Sequence, residues 1–402
     1  MAILKKYIVP ALMASSLAFA ANSDNCDGSS KPITIQSQGD ADALSSCETI
    51  QGDIVIAEST SGGITFNGIQ QITGSLTANG AANITSLSAP QLNSIGKDFT
   101  LNGLILLTTL SFDSLTSVGS INWAALPNLQ ALTFSKGVSQ AGSVSITNTG
   151  LTSLDGINLE TVGDFDLTAN TALTQVNVNN IKNCTGLLNF AANSAKLNVN
   201  FPNLVAGMNM TFRNTSSVSV PSLKNLTGQL GLFGNYFDSF SAPNLTKVGD
   251  LVFDNNGKLS NISLPVLTTV NGGFQISSNP ELNTIDGVPE LKTIIGALDF
   301  SGNFTNVSLP SLEQVKGGFN MQSTGSLQCD AFKNLQKNNV IQGSFTCKTT
   351  PNPTTMNGDS GSSSSSGSSS SSTSSGAAVS NIGKAPAMGL TALLCGLLQF
   401  LM

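Results

Sequence analysis

Apolar residues recur along this chain in short segments of the form apolar–x–apolar, most of them behind a glycine. Fourteen such segments begin at Ile54, Leu76, Phe99, Ile121, Val144, Phe165, Leu188, Met210, Leu230, Leu251, Phe274, Leu298, Phe319 and Phe345. Their intervals run from 20 to 26 residues, close to 22 throughout. A repeat of that length around an L-x-L core predicts stacked coils, each contributing one strand to a continuous sheet. At a strand spacing of about 4.8 Å the stack would be a rod about 65 Å long. Its core would run without a break from about Ile33 to Phe345, as one elongated domain.

Two further phases describe a single coil. An asparagine follows the strand at a fixed step, at Asn170, Asn193, Asn235, Asn256, Asn279 and Asn303, with Asn148 and Asn214 one residue early. An amide at that place can donate to carbonyls of its own and the neighbouring coil, as the leucine-rich-repeat asparagine does, and so satisfy buried backbone groups. A second apolar stretch reads apolar-Pro-x-Leu-x-x-Val/Ile, as in Leu264-Pro265-Val266-Leu267-Thr268-Thr269-Val270. Pro90, Pro202, Pro221, Pro243, Pro265, Pro289 and Pro310 share this phase. Proline cannot donate to a ladder and disfavours helix in the residue before it, so the return segment is extended or turn-like. The expected fold is all-β: a right-handed parallel β-helix with leucine-rich-repeat features, about 14 coils long.

The ends read as processing signals. Lys5 and Lys6, the apolar run Ile8 to Phe19 and the small residues of Ala18-Phe19-Ala20 make residues 1–20 a secretory signal. At the other end, Ser360–Ser375 is almost entirely Ser and Gly. Gly376-Ala377-Ala378 follows, then a polar spacer with Asn381 and Lys384, then an uncharged, mostly apolar tail to Met402. Small site, spacer and apolar tail together signal a GPI anchor whose tail is removed; the alternative is a C-terminal transmembrane anchor, which the lack of basic residues after the tail disfavours. Gly376 is the expected attachment residue, with Ser375 and Ala377 as alternatives. The solenoid is thus expected over 21–350, a Ser-rich stalk over 351–376, either O-glycosylated or a bare flexible linker, and a propeptide over 377–402.

Composition narrows the chemistry. With 17 basic and 23 acidic residues, only 10% of the chain is charged, and no basic face exists for nucleic acid. There is no histidine, which removes the commonest general base and metal ligand and any Ser–His or Cys–His site. No C-x-x-C pair points to zinc, and no cofactor is expected. Of six cysteines, Cys395 lies in the discarded tail. In an oxidising compartment the economical pairing is local, Cys26–Cys47 before the first repeat and Cys329–Cys347 around the last, stapling the two caps. Cys184 lies four residues before Leu188, an offset that Ile95, Leu226, Val270, Ile294 and Val315 hold in other coils, so it reads as a buried core thiol.

The middle residue of each strand should point out of the coil. In order these are Val55, Thr77, Thr100, Asn122, Ser145, Asp166, Asn189, Thr211, Gly231, Val252, Gln275, Asp299, Asn320 and Thr346. They are small, polar and nearly neutral with no aromatic, so this face is expected to lack stacking platforms for sugars. The only tryptophan, Trp123, holds an inward position and reads as core. Carboxylates that cleave glycosides stand about 5–9.5 Å apart. Asp166 and Asp299 are six coils apart, about 29 Å along the stack, and cannot pair. A further acidic position precedes the strands at Asp53, Asp98, Asp164 and Asp250, rarely shared by neighbouring coils.

Nine N-x-Ser/Thr sequons occur, at Asn83, Asn183, Asn209, Asn214, Asn225, Asn244, Asn261, Asn303 and Asn306. Asn225, Asn244, Asn261 and Asn306 fall near the return segment on the outside of the coil. Asn303, in the asparagine ladder, and Asn183, beside Cys184, are expected to be less accessible.

Signal, two-cysteine cap, L-P-x-L-x-x-V-x-G-x-F-x-I repeats, C-terminal cysteine pair, Ser-rich stalk and anchor tail occur together in one family. The chain resembles the fungal GPI-anchored cell-wall organisation proteins of the extracellular-mutant and sporulation-specific group, most clearly from Ser263 to Ile276. Their repeats are similar to the L domains of growth-factor receptors. The resemblance implies a non-enzymatic, monomeric surface glycoprotein needed for wall integrity, held on the plasma membrane and in the wall. The expected partners are the membrane, through the anchor, and wall glucan or other wall proteins. The alternatives are a receptor-like or adhesive module for a protein or glycan ligand and a wall-glycan-remodelling enzyme.

Overall fold

The structure, a computed structural model, describes residues 23–176 and 178–356. The signal region, residues 357–376 of the stalk, Gly376 with Ser375 and Ala377, and Cys395 lie outside the described residues.

One coil shows how sequence becomes solenoid. The strand Leu251–Asp254 turns at Asn255 and Asn256 into a second strand, Asn261–Ser263. The Pro265 turn leads to a third, Thr269–Val270, and a glycine corner delivers the chain to the next main strand, Phe274–Ser277. Leu251, Phe253, Asn256, Leu259, Ile262, Leu264, Leu267 and Val270 all point inward and are buried. The main and third strands of successive coils merge into one 22-stranded sheet, and the second strands form four small sheets. Every named strand pair is parallel, with registers such as Leu251↔Phe274 and Thr269↔Thr293. The return path is extended or turn-like, as the proline phase requires, and the buried apolar residues from Ile35 to Ile341 form one core.

The stack is one coil longer at its start than the repeat count. Ile33-Thr34-Ile35 lies in register with Ile54-Val55-Ile56. A bulge between Gly28 and Ile33 separates that strand from its glycine and hides the motif in the sequence.

Both ends are closed. The short helix Gln38–Asp42 brings Ala41 and Leu44 onto the first coil, and Cys26–Cys47 ties the cap across a Cα separation of 5.8 Å. At the far end the helix Asp330–Lys337 packs Phe332 on Phe319 at 5.4 Å between rings, and Cys329–Cys347 closes it. Apolar ends that would otherwise meet water are thereby covered. Trp123 is buried edge-on against Phe99, at 5.5 Å, as core.

Candidate functional site: the coil edges and the outer sheet face

The asparagine ladder is real but is populated differently from the sequence expectation. Asn170, Asn193, Asn235, Asn256 and Asn279 are buried. Each donates through Nδ2 to a carbonyl of the preceding coil: Ile146, Leu167, Phe212, Leu232 and Phe253, at 2.8–3.1 Å. Each Oδ1 accepts the backbone N–H one rung back, from Thr149, Asn170, Thr215, Asn235 and Asn256. Thr149 and Thr215 therefore fill the rung in their coils. Asn148 and Asn214, one residue earlier, sit at a left-handed corner with φ of 53° and 59°. Gly80, Gly103, Gly234 and Asn255 hold the same step, where glycine or asparagine is tolerated best, but Ala125, Ala169, Ala192 and Ser278 hold it too, so the repeat imposes the left-handed corner on other residues as well.

Asn303 does not belong to the ladder and is exposed, which corrects the expectation. Its strand, Leu298–Gly302, runs one residue further than the preceding Phe274–Ser277, and Phe304 enters the core instead. A one-residue slip exchanges inside for outside.

The acidic residues that precede the strands are brackets between coils. Asp53, Asp164 and Asp250 accept the backbone N–H groups of Ser75, Leu187 and Gly273 at 2.7–2.8 Å, and Asn209 accepts that of Gln229 at 2.9 Å. Asp98 accepts the Ser120 hydroxyl. Gly74, Gly186, Gly228 and Gly272 stand where any Cβ would strike the bracketing oxygen. That contact explains the glycine before so many strands.

Beyond the row of bracketing residues, strand alternation gives the outer face two columns: the central residues and the residues two further on. The second column holds Asp254, Phe233 and Arg213, and its phenylalanine corrects the expectation of a face without aromatics. The Phe233 ring is covered by the Arg213 guanidinium, 3.9 Å from its centroid, and lies over Gly231. Arg213 thus occupies the side of the ring on which a sugar would stack. Tyr236, at the edge of the sheet, is the one exposed aromatic among the described residues.

Asp166 and Asp299 are the acids of the central column, and burial raises the pKa of each. Asp166 accepts Asn189 Nδ2 at 2.8 Å. Asp164 shares its strand and face two residues away, a far closer acidic neighbour than Asp299, and its charge also raises Asp166. Each of the two is nonetheless held by a hydrogen bond from the next coil.

Asp299 is covered by the chain's own continuation. Residues 351–356 fold back over the sheet as a strap: Thr354 O accepts Asn320 Nδ2 at 2.8 Å and Gln322 Nε2 at 3.0 Å. Thr354 N–H donates to Gln322 Oε1 at 3.2 Å, and Met356 N–H to Asp299 Oδ2 at 2.9 Å. The packed unit therefore continues past residue 350 to Met356.

Asn83, Asn214, Asn225, Asn244, Asn261, Asn303 and Asn306 are exposed, whereas Asn183 and Asn209 are half-buried. Cys184 is buried with Sγ 3.1 Å from Gly163 O, and burial pushes its thiol up to about 11, an unreactive thiol. Among the described residues no group of three or more His, Cys, Asp or Glu is placed to hold a metal.

Known proteins are similar to this chain in sequence. The family model described as "Ecm33: GPI-anchored cell wall organization protein" matches residues 1–45. "Protein ecm33" of Aspergillus fumigatus is 57% identical over 398 residues, covering 99% of each chain. "Cell surface GPI-anchored protein" of Arthroderma benhamiae is 48% identical over 396 residues, 98% of each chain. "Cell wall protein ecm33" of Schizosaccharomyces pombe is 33% identical over 284 residues, 70% of this chain and 61% of that one. No solved structure matches. Near-complete coverage at these identities shows that this chain belongs to the Ecm33 family of fungal GPI-anchored cell-wall organization proteins.

Proposed function

We propose that the chain is a non-enzymatic scaffold, anchored at Gly376 or its neighbours Ser375 and Ala377, that displays the outer face of its main sheet to wall glucan or other wall proteins. The observation that carries this reading is the chemistry of that face. From Thr77 to Thr211 its central column is small and polar, with Asp166 the only charge. Asn79, Asn102, Asn122, Asn189 and Asn320 stand in its two outward columns and none begins an N-x-Ser/Thr sequon; of the nine sequons, Asn209 is in the bracketing row of the same sheet, half-buried with its Oδ1 bonded to Gln229 N–H, and Asn183 and Asn225 lie in strands at the sheet's other edge. N-linked sugar at the sequons would leave these two columns themselves unmodified. Asp164 and Asp166 are each engaged with the next coil rather than free to act as an acid–base pair.

Two measurements on protein from its own cells test the proposal. Phospholipase treatment should release it from membranes, with the peptide ending at residue 375, 376 or 377 carrying the anchor remnant. A C-terminus still bearing the 377–402 tail contradicts the anchor. Released protein incubated with glucan or chitin should yield no shortened or transferred chains. Turnover that Asp166→Asn abolishes would favour the enzyme instead.

A further inference from the structure

Asn214 and Tyr236 meet at the left-handed corner of adjacent coils. Asn214 is exposed at the tip of its turn, with φ 59°, and begins the sequon Asn214-Thr215-Ser216. Its Nδ2 points across the stack and donates to Tyr236 Oη at 3.3 Å. Beside this pair is a recess of about 490 Å³, bordered by Gly234, Asn255, Gly257 and Lys258. That volume lies within the range of pockets that hold small ligands. A Cβ at Gly257 would meet nothing within 4 Å, so the recess is open at that point. No other exposed sequon has an exposed aromatic ring beside it, because Tyr236 is the only such ring among the described residues.

We propose that Asn214 carries an N-linked glycan whose first N-acetylglucosamine lies in this recess, packed on the Tyr236 ring and hydrogen-bonded by Asn255 and Lys258. In the transfer, Asn214 Nδ2 loses one proton and bonds to C1 of the sugar, as the C1–O bond to a lipid-pyrophosphate donor breaks. The linked nitrogen keeps one N–H. The C–H face of a pyranose is apolar and its rim is polar, which suits a tyrosine ring flanked by amide and ammonium donors. The sugar must be installed before the coils close. In the folded chain Thr215 is fully buried against Asn235, and Ser216 N–H is bonded to Leu197 O at 2.8 Å. The glycan then acts as an external staple between the coils of Met210 and Leu230, outside the rung that Thr215 and Asn235 form within.

The inference rests on entry into the secretory path, which sugar on the exposed Asn83 or Asn261 tests separately. Glycopeptide mapping of full-length protein from its own host should find Asn214 occupied. Native protein treated with peptide N-glycosidase should lose the Asn214 glycan about 2- to 10-fold more slowly than the Asn261 glycan, the protection expected of one aromatic contact. Tyr236→Ala should abolish the difference, and Tyr236→Phe, which keeps the ring, should preserve it. An unmodified Asn214, equal release rates in the unmutated protein, or fast release in Tyr236→Phe would each overturn the proposal. If Tyr236→Ala accelerates release at every site, the Tyr236→Phe rate decides.

Discussion

At the scale of single residues, the solenoid is held by polar atoms that each serve two coils. Asn256 is the clearest case: it donates to Leu232 O and Asn279 Oδ1, and accepts from Asn235 N and Nδ2. Asn256→Ala strands buried donors and a carbonyl at once. With about 1–3 kcal/mol for each unsatisfied group, it should cost at least about 2 kcal/mol in urea unfolding. Asp166 works in the opposite sense. Burial raises its pKa, with smaller opposing and reinforcing effects from Asn189 and Asp164. A carboxyl whose pKa is higher in the folded than in the unfolded state binds its proton more tightly when folded. Stability therefore rises as pH falls through the interval between the two values. Asp166→Asn can still accept from Asn189 and removes this titration. The variant should be at least as stable as the parent at neutral pH and should gain less on acidification toward about pH 4. Unfolding curves over that range check both statements. Such residues were legible in sequence wherever one amide or acid recurs at one step. Asn303 was misread because a single extra strand residue before it exchanges inside for outside, which spacing alone does not reveal. Thr149 and Thr215 were missed because a hydroxyl can hold the rung without breaking the visible pattern of asparagines.

At the scale of elements, each coil is a compromise between an apolar interior and three kinds of corner: an asparagine rung, a proline turn and a glycine beside a bracketing acid. The period exposed all three, and the cysteine positions exposed the caps. The first coil escaped notice because its bulge splits the motif. The strap at 351–356 was invisible for a different reason. Pro351-Asn352-Pro353-Thr354-Thr355-Met356 has the composition of a linker, and what holds it are side chains 32 to 57 residues earlier. Gln322 grips Thr354 through both its amide N–H and its carbonyl, as a neighbouring strand would. Gln322→Ala should therefore free the strap while leaving the sheet intact. Hydrogen exchange at Thr354 and Met356 should accelerate about tenfold or more, the loss of roughly 1.4 kcal/mol, with the amides of Phe319–Ser323 unchanged. Acceleration throughout that strand would mean the strap is part of the core rather than a layer on it.

At the scale of the whole molecule, a long stack of coils offers a large surface and little concavity. The two outward columns of its main sheet hold no sequon, and its family places it at the fungal cell surface and wall. The central claim is that this surface acts where it is anchored and does no bond chemistry. The most direct measurement is growth on a wall-binding dye in a strain that lacks the gene and carries one of three versions of it: unaltered, Asp164→Asn with Asp166→Asn, or ended before Gly376 so that it is secreted without an anchor. The deletion strain should be dye-sensitive. The doubly substituted version should restore resistance as fully as the unaltered one, and the anchorless version should not. Restoration by the anchorless protein, or failure of the substituted one while it is still displayed at normal level, would contradict the account.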